Sequence, residues 1–483
     1  FGVIGSYTLR FGGVAGSVLV PVNATPTVVA AGPAARLLLT TAPSAAAVNG
    51  VAFAQQPVIT VADSSSNPVL AAGTTLTAAI ATGAPALAGT PTALTNANGV
   101  ATFTGLRLVG VVGSRTLTFT ATGLTSINSP AIVLSAGAAK TIALNGGNNQ
   151  TTGVGQPVAV PPSVLVSDTT GNPVAGVNVT FTVTLGGGSV GTPVAVTGAN
   201  GIANAGSWTM GPVAGLDSLE ATAAGLAGSP VRFGATATAG AAVRLLVTTQ
   251  PSGAATNGIT LAQQPVVQLL DGNGNPVNTA GRQVTATLLG PGAVLRGTKV
   301  VATNGTGTAS FTGLDIFGQA GAYAIGMTAP GLIADTTVTI LVAPGAASRL
   351  VVSLQPSGTV SSGVPFAQQP VVRVQDSSGN AVSQGGIGVT ASLASGAGTL
   401  GGTLTVNTAG NGIATFGDLT LTGAPGARTL AFSAAGLTGI VSNTVQVVAG
   451  GATALAIVTQ PAATARSGVA LATQPGIQLR DAS

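Results

Sequence analysis

The sequence contains no histidine and no cysteine, and among its 483 residues it has one tryptophan, two tyrosines and a single glutamate, Glu220. Histidine, cysteine and carboxylates perform most acid–base, nucleophilic and metal chemistry in proteins. Their scarcity argues against an enzyme and against a resident cofactor or metal. The lack of cysteine is compatible with secretion but does not demonstrate it, because domains with adequate cores need no disulfides.

Charge is also scarce, since only 5% of the residues are charged and 15 basic against 10 acidic residues give a net charge of +5. The basic residues are isolated and lack interleaved aromatics, so we expect no nucleic-acid partner. Polar residues, glycine or proline interrupt every apolar run before the ~18 residues of a membrane-spanning segment. An ordinary soluble domain has about 25% charged residues. A surface this neutral suits side-by-side packing of chains, or a covered surface.

A motif of small residues recurs along the chain at a nearly constant spacing. It reads AGPAARLLL, AGAAKTIAL, AGAAVRLLV, PGAASRLVV and GGATALAIV, and we align its glycines as Gly32, Gly137, Gly240, Gly345 and Gly451. Units near 100 residues have the size of immunoglobulin-like sandwiches. We therefore expect complete repeats at 32–136, 137–239, 240–344 and 345–450. We further expect the C-terminal strands of a partial repeat at 1–31 and the N-terminal strands of another at 451–483.

Within each repeat the apolar residues alternate with a period of two, which is typical of strands. In FAQQPVITVADSSSNPV the positions two and four residues before the aspartate are Val61 and Ile59, and both are aliphatic in all five copies of the motif. The intervening position, Thr60 in this copy, is mostly polar and is expected to face solvent. The sequence predicts an all-β fold, a tandem array of immunoglobulin-like β-sandwiches of about 105 residues each, arranged as a beads-on-a-string rod.

The aspartate that ends this motif is the first candidate site residue. It is present in all five copies, as Asp63, Asp168, Asp271, Asp376 and Asp481. Aspartate before small polar residues and Asn-Pro is expected to cap its own turn through hydrogen bonds from the backbone. Calcium binding is the alternative, although Ca²⁺ prefers six to eight oxygen ligands and each repeat offers few acids.

The proline of the same motif is present in every copy, whereas its glutamines are not. The proline six residues before the aspartate is invariant and is expected where the first strand leaves one sheet edge and resumes on the other; it is Pro57, Pro162, Pro265, Pro370 and Pro475. Gln55 and Gln56 are replaced by Val160 and Pro161 in the second repeat. Residues that can be replaced by Val or Pro perform no obligatory chemistry.

Three further residues in the second repeat invite specific hypotheses. Lys140 and Glu220 raise the possibility of an intramolecular isopeptide bond, against the simpler interpretation as solvated surface charges. Trp208 is expected to be the core aromatic of its repeat, and a sugar-binding platform is the alternative.

The motifs DTTGNPVAGVNVTFTV, TGANGIANAGSW and AGLDSLEATAAGL occupy successive parts of the second repeat. Their order resembles that of the bacterial immunoglobulin-like repeats of invasin and intimin type, found in surface adhesins and extracellular fibres. The resemblance covers essentially the whole chain. It implies long surface rods in which the repeats are spacers and a separate tip or anchor binds or attaches.

We therefore expect a non-enzymatic, extracellular structural protein of the cell surface that forms or spaces a filament by self-association. The alternatives are the stalk of an adhesin whose ligand binds outside this fragment, and a glycan-binding accessory module. The chain opens at FGVIGSYTLRF without an initiator methionine, so we expect an excerpt of a longer protein. Its partial terminal repeats are expected simply to be cut off, and strand exchange between subunits is the alternative.

Overall fold

The computed structural model describes residues 2–83 and 86–481, so Phe1, Ala482 and Ser483 of the two predicted terminal repeats lie outside the described residues. Regular structure in the described ranges consists of strands. Within those ranges, no helix has the length and apolarity that crossing a membrane requires. The all-β class predicted from the period-two pattern is confirmed. The chain divides into two compact units, Phe1–Ala239 and Gly240–Ser483.

The first unit contains three groups of strands. In residues 2–31 they are β1 (Gly5–Tyr7), β2 (Arg10–Phe11), β3 (Val22–Asn23) and β4 (Thr27–Val29). In residues 32–136 they are β5 (Arg36–Thr41), β6 (Ala46–Val48), β7 (Val58–Ala62), β8 (Thr75–Thr82), β9 (Ala86–Ala88), β10 (Thr92–Leu94), β11 (Val100–Thr102), β12 (Arg107–Val109), β13 (Gly113–Thr120), β14 (Ile127–Asn128) and β15 (Ile132–Ser135). In residues 137–239 they are β16 (Thr141–Gly146), β17 (Gln150–Gly153), β18 (Ser163–Ser167), β19 (Asn178–Leu185), β20 (Ser189–Val190), β21 (Val194–Val196), β22 (Ile202–Asn204), β23 (Trp208–Thr209), β24 (Gly215–Thr222) and β25 (Val231–Thr238).

The second unit also contains three groups. In residues 240–344 they are β26 (Arg244–Thr249), β27 (Ala254–Thr256), β28 (Val266–Leu270), β29 (Gln283–Leu289), β30 (Ala293–Arg296), β31 (Val300–Ala302), β32 (Thr308–Ser310), β33 (Asp315–Gly318), β34 (Gly321–Thr328), β35 (Asp335–Thr336) and β36 (Ile340–Ala343). In residues 345–450 they are β37 (Arg349–Leu354), β38 (Thr359–Ser361), β39 (Val371–Gln375), β40 (Gly388–Ser395), β41 (Thr399–Gly401), β42 (Thr405–Asn407), β43 (Ile413–Thr415), β44 (Thr420–Thr422), β45 (Gly426–Ala434), β46 (Leu437–Val441) and β47 (Val445–Val448). In residues 451–481 they are β48 (Ala454–Thr459) and β49 (Gly476–Arg480).

Residues 32–136 show the arrangement on which the others are variations. One sheet has the strand order β11-β7-β5, and the other has the order β10-β8-β13-β15-β6 with β14 paired to β13. Neighbours are antiparallel except β6, which runs parallel to β15. The chain thus crosses from one sheet (β5) to the other (β6), where β6 pairs parallel with the last strand, β15. This crossing is a feature of immunoglobulin-like sandwiches. The same pairings recur as β17 with β25, β27 with β36 and β38 with β47.

The core lies between the two sheets and follows from the alternation of apolar residues. Ile59 and Val61 of β7 and Leu117 and Phe119 of β13 are all fully buried, and they belong to one cluster. Phe119 also contacts Phe103, with ring centroids 5.4 Å apart. The inward face predicted from the sequence is confirmed. Burying such side chains supplies the main driving force for folding each sandwich.

The outer face of β7 and of its counterpart β28 differs from the prediction. Thr60 is buried, and so is Gln268 in β28. The Gln268 amide donates to the carbonyls of Leu269 and Thr306, both at 3.1 Å, so the hairpin around Thr306 covers it. The expectation of a solvent-facing position is wrong in these two repeats, because protein groups rather than water satisfy both side chains: the Thr60 hydroxyl donates to Oγ1 of Thr40 on β5 at 3.3 Å, and the hairpin covers Gln268.

The switch of the first strand between sheets lies earlier in the sequence than predicted. β5 ends at Thr41 and β6 begins at Ala46, so the chain crosses over in the segment that contains Pro43. Pro57 instead directly precedes β7, and its carbonyl accepts a hydrogen bond from the Phe103 amide at 3.1 Å. The interpretation of Pro57 and its counterparts as the sheet switch is therefore wrong. Proline is tolerated at the first residue of a strand because its missing N–H is not needed there.

Candidate functional site at the junctions between repeats

The aspartate after β18 organises the turn that follows it. Oδ1 of Asp168 accepts hydrogen bonds from the amides of Thr170 and Asn172, both at 2.9 Å. The same two bonds form at Asp63, Asp271 and Asp376. The prediction that this aspartate caps its own turn is confirmed in these four copies. The cap leaves the second carboxylate oxygen free to bond elsewhere.

The second oxygen connects the turn to the start of its own repeat and to the repeat before it. Oδ2 of Asp168 accepts from the Gly137 amide at 2.9 Å and from Nδ2 of Asn172 at 2.9 Å. It also accepts from Nδ2 of Asn49 at 2.7 Å. Asn49 directly follows β6 and therefore belongs to residues 32–136. A single carboxylate thus joins three segments that are far apart in sequence.

Two asparagines cross this junction in opposite directions. Asn49 donates through Nδ2 also to Oγ1 of Thr170 at 2.6 Å, and its Oδ1 accepts from the Gly110 amide at 2.9 Å. Asn172 donates to the Gly110 carbonyl at 2.9 Å and accepts from the Val112 amide at 3.0 Å. We call Asn49, Gly110, Asp168, Thr170 and Asn172 the first amide lock. Because Asn49 donates to the later repeat and Asn172 both donates to and accepts from the earlier one, the lock fixes distance and orientation across the junction.

A second amide lock with the same geometry lies in the other compact unit. It comprises Asn257, Gly318, Asp376, Ser378 and Asn380. Nδ2 of Asn257 donates to Oδ2 of Asp376 at 2.8 Å and to Oγ of Ser378 at 2.9 Å. Nδ2 of Asn380 donates to the Gly318 carbonyl at 2.8 Å, and Gly318 donates to Oδ1 of Asn257 at 2.8 Å. The recurrence of these bonds shows that the network is a regular feature of the two junctions and not an isolated contact.

Part of the lock is also present near the start of the chain. Nδ2 of Asn67 donates to the Gly2 carbonyl, and the Ile4 amide donates to Oδ1 of Asn67, both at 3.2 Å. These bonds match those of Asn172 with Gly110 and Val112. The asparagine of the Asp-x-x-x-Asn turn therefore reaches back to the preceding segment at three places.

The aspartates of both locks stay ionised over a wide pH range. Burial alone would raise the pKa of Asp168, but the bonds donated by Asn172, Gly137 and Asn49 outweigh it and hold that pKa well below its usual range. Asp376 has the same balance of burial against donors, and its pKa is lowered to about 2. Hydrogen bonds to the charged form stabilise it. The locks therefore contain a carboxylate, and not a carboxylic acid, above about pH 4.

The recurring glycine at the start of each repeat is explained by the same contacts. A Cβ atom on Gly137 would lie 2.9 Å from the Asn49 carbonyl oxygen, and one on Gly345 would lie 3.0 Å from that of Asn257. Only glycine lets the two repeats approach this closely. The amide that bonds the aspartate in the last copy belongs to Gly450, at 2.6 Å from Oδ2 of Asp481. The alignment on Gly451 is therefore wrong by one residue.

The arrangement does not fit a calcium site. Six donor groups point at the two oxygens of Asp168, among them three backbone amides and the hydroxyl of Thr170. A cation would have to displace these donors, and calcium requires several further oxygens. Within residues 2–83 and 86–481, no group of three or more His, Cys, Asp or Glu lies close enough to hold a metal ion.

The conspicuous glutamines are parts of the scaffold. Nε2 of Gln56 donates to the carbonyls of Phe53 and Leu106, at 2.9 and 3.1 Å, and its Oε1 accepts from the Leu106 amide at 3.0 Å. Gln264 and Gln369 make the same bonds in their repeats. These side chains join two segments of the same sandwich, which agrees with their interpretation as structural.

The specific hypotheses for the second repeat are resolved by burial. Trp208 is fully buried in the core of residues 137–239, which confirms the core interpretation, since the ring of Trp208 is not open to a sugar. Lys140 is exposed, whereas an isopeptide bond needs a buried lysine. Glu220 pairs with Arg232 across two strands, with 3.0 Å between Oε1 and Nη2. Arg232 was not recognised as a partner from the sequence.

One buried acid in this repeat lacks a partner. Asp217 on β24 is 2% exposed, and neither carboxylate oxygen has a partner at full hydrogen-bond geometry. Burial raises the pKa of Asp217, and the nearby Gly211 amide offsets this effect only in part. The side chain lies on the inner face of β24, opposite to the face that carries the Glu220–Arg232 pair. It therefore destabilises its repeat when charged.

Asparagines 49 and 257 were missed by the sequence analysis, although the sequence contains a signal for them. Both are followed by glycine, and both lie 14 residues before the motif aspartate of their own repeat, Asp63 and Asp271. Their function became evident only from the fold, because their partners are in the next repeat, 119 residues away. The corresponding residues elsewhere are Val154 and Ser362.

The fold and the junctions define a class, namely tandem immunoglobulin-like β-sandwiches joined by direct hydrogen bonds between consecutive repeats. No protein-family model matches the chain, and no curated protein matches it. Among solved structures it is similar to the Escherichia coli adhesin FdeC, with 19% identity, 65% of this chain and 100% of that chain covered, and a TM-score of 0.33.

Two further solved structures are similar to parts of the chain. Invasin, a bacterial integrin-binding protein, has 16% identity over 87% of this chain and 82% of its own, with a TM-score of 0.34. The Protocadherin GammaB4 extracellular domain has 13% identity over 89% of this chain and 70% of its own, with a TM-score of 0.33.

Proposed function

We propose that this chain is a non-enzymatic structural protein of the cell surface whose repeats act as a spacer, with the amide locks keeping consecutive repeats in a fixed arrangement. The repeats are those at 32–136, 137–239, 240–344 and 345–450, with partial repeats at either end. The observation that carries the proposal is the identical buried network at two junctions, Asn49 with Asp168 and Asn257 with Asp376.

The energetics of the lock suit a mechanical role. Asn49 and Asp168 are 6% and 3% exposed, so water cannot replace a broken bond without the junction opening. A hydrogen bond to a charged group contributes about 1.5 to 3 kcal/mol, and leaving a buried partner unsatisfied costs a similar amount. The lock therefore resists both bending and separation of two neighbouring sandwiches.

The lock is also independent of metal and nearly independent of salt. Its one charge is a carboxylate surrounded by neutral donors, and screening by salt affects mainly interactions between exposed charges. A spacer of this kind would keep its stiffness in media of variable ionic strength. An extracellular location is supported by the resemblance of the motifs to surface adhesin repeats.

The test removes the crossing asparagines from the full chain. In the double variant N49A/N257A both locks lose their Nδ2 donors, and we expect small-angle scattering to show a broader distribution of interatomic distances than in the parent chain. The matched control is N98A/N411A, since Asn98 and Asn411 are exposed turn residues, one in a sandwich joined by the first lock and one in a sandwich joined by the second. Identical scattering of parent, variant and control would contradict the proposal.

A second candidate function is assembly into an extracellular filament. The observation in its favour is the low charge: only 5% of the residues are charged, so the solvent-facing sides of the sheets consist mainly of Thr, Ser, Asn, Gln, Gly and Ala. Such faces lack the charge repulsion that normally keeps chains apart. The adhesin stalk remains compatible with the same locks, because a stalk also requires spacing.

A further inference from the structure

We propose that Asn49 and Asn257 are modification sites at which spontaneous deamidation is blocked while the amide lock is closed and becomes possible when the junction opens. Deamidation would then prevent the junction from closing again. The proposal concerns the chemistry of the locks and does not depend on the proposed spacer function.

The residue that follows each asparagine makes the reaction chemically accessible. Gly50 and Gly258 have no side chain to hinder attack by their backbone nitrogen on the preceding amide carbon. In the first step the Gly50 nitrogen loses its proton and forms a bond to Cγ of Asn49, while the bond from Cγ to Nδ2 breaks and ammonia leaves. Water then hydrolyses the cyclic imide to aspartate or isoaspartate. No oxidant or reductant is needed.

The closed lock opposes the first step in two ways. The Gly50 amide donates to the Leu108 carbonyl at 2.9 Å, so its nitrogen is directed away from the side chain. The Asn49 amide group is held at both ends, through Oδ1 by Gly110 and through Nδ2 by Asp168 and Thr170. The leaving nitrogen is therefore engaged as a donor and shielded from water. Gly258 donates to the Ile316 carbonyl at 2.9 Å in the same way.

The product cannot occupy the closed lock. Deamidation replaces Nδ2, which lies 2.7 Å from Oδ2 of Asp168, by a carboxylate oxygen. Two carboxylates would then face each other where a donor and an acceptor had been, so the hydrogen bond is lost and the like charges repel. Isoaspartate would in addition lengthen the backbone next to the Gly50 amide. A junction that opens for long enough would thus change permanently from locked to unlocked.

The experiment follows deamidation in the intact full chain by peptide mapping and mass spectrometry during incubation in mildly alkaline buffer. Asn98 is the matched control in the same repeat, because it is exposed and is also followed by a glycine whose amide is bonded, from Gly99 to the Asn96 carbonyl at 2.9 Å. We expect Asn49 to deamidate about tenfold more slowly than Asn98, the factor that one charge-assisted hydrogen bond is worth. Equal rates would overturn the proposal.

A variant separates protection by the lock from protection by the fold. In D168A the rate at Asn49 should rise toward that of Asn98, whereas Asn257, in the untouched second lock, should keep its slow rate. The fluorescence of Trp208, the single tryptophan, reports whether residues 137–239 remain folded in this variant. If D168A unfolds this repeat, T170V serves as the milder change, and the same rise is expected. An unchanged rate at Asn49 in a folded variant would contradict the proposal.

Discussion

At the scale of single residues, one position on the inner face of the long strand shows how the repeats differ. Two residues before the buried leucine or isoleucine, the first, third and fourth repeats carry Arg115, Tyr323 and Arg428, and each donates to carbonyl groups of a neighbouring loop. The second repeat carries Asp217, which can donate only when protonated. Each side chain lies under a glycine with positive φ, and these are Gly83, Gly186, Gly290 and Gly396.

The change D217N is expected to stabilise the second repeat at neutral pH by about 1 to 3 kcal/mol, because an uncharged amide can donate to the loop and avoids burying a charge. Because the pKa of Asp217 is raised, the contribution of this residue to the stability of the parent chain is most favourable at low pH and is lost as pH rises through its pKa in the folded state. The advantage of D217N should therefore be larger at pH 7 than at pH 4. Urea unfolding monitored by Trp208 fluorescence measures both values.

The control for this prediction is E220Q on the same strand. Glu220 lies on the outer face and pairs with an arginine that is 76% exposed, so its removal should change stability by less than about 1 kcal/mol. A D217N variant that is less stable than the parent chain at pH 7 would show that the buried carboxylate has a stabilising partner.

At the scale of elements, the turn that contains the motif aspartate and the glycine at the start of the same repeat act together at the junction. Gly137 is close to both Asn49 and Asp168, so a side chain at this position would push the repeats apart. We expect G137A to broaden the scattering distance distribution of the full chain as N49A/N257A does. The melting temperature of the sandwiches should fall little, because Gly137 lies outside their cores.

The matched change for G137A is G272A. Gly272 lies within the Asp-x-x-x-Asn turn of the third repeat, and a Cβ atom there would meet nothing within 4 Å. The equivalent residues of the first two repeats are Ser64 and Thr169, so a side chain is tolerated. Scattering that changes as much in G272A as in G137A would show that the effect is not specific to the junction.

The limits of sequence analysis are also clearest at this scale. The alternation at Ile59 and Val61 and the aspartate at every turn predicted the strands and the caps, because both depend on residues close in sequence. Pro57 was assigned to the wrong break, since a proline marks a discontinuity without specifying which one. Asn49 was missed because its partner lies in another repeat, and only the spatial arrangement brings the two together.

At the scale of the whole molecule, the low charge favours assembly into filaments, whereas the locks favour a spacer, and electron microscopy distinguishes the two. If the chain assembles into filaments, electron microscopy of the purified full chain should show ordered multi-chain fibres without any added partner. Their formation should depend little on salt, because few charges oppose contact between chains. Isolated single chains at high protein concentration would contradict assembly and would favour the spacer or stalk.

The reach of Asn49 into the next repeat has a consequence for how such a chain can change in length. Duplicating the segment 32–136 would place a second copy of Asn49 before the turn of Asp63, which already accepts the same backbone bonds as Asp168. The new junction would inherit a lock. Duplicating 137–239 would instead place Val154, which has no amide, before Asp168. Either duplication would lengthen the chain by one repeat. The identity of the duplicated repeat would decide whether the new junction is stiff, with a lock, or compliant, without one.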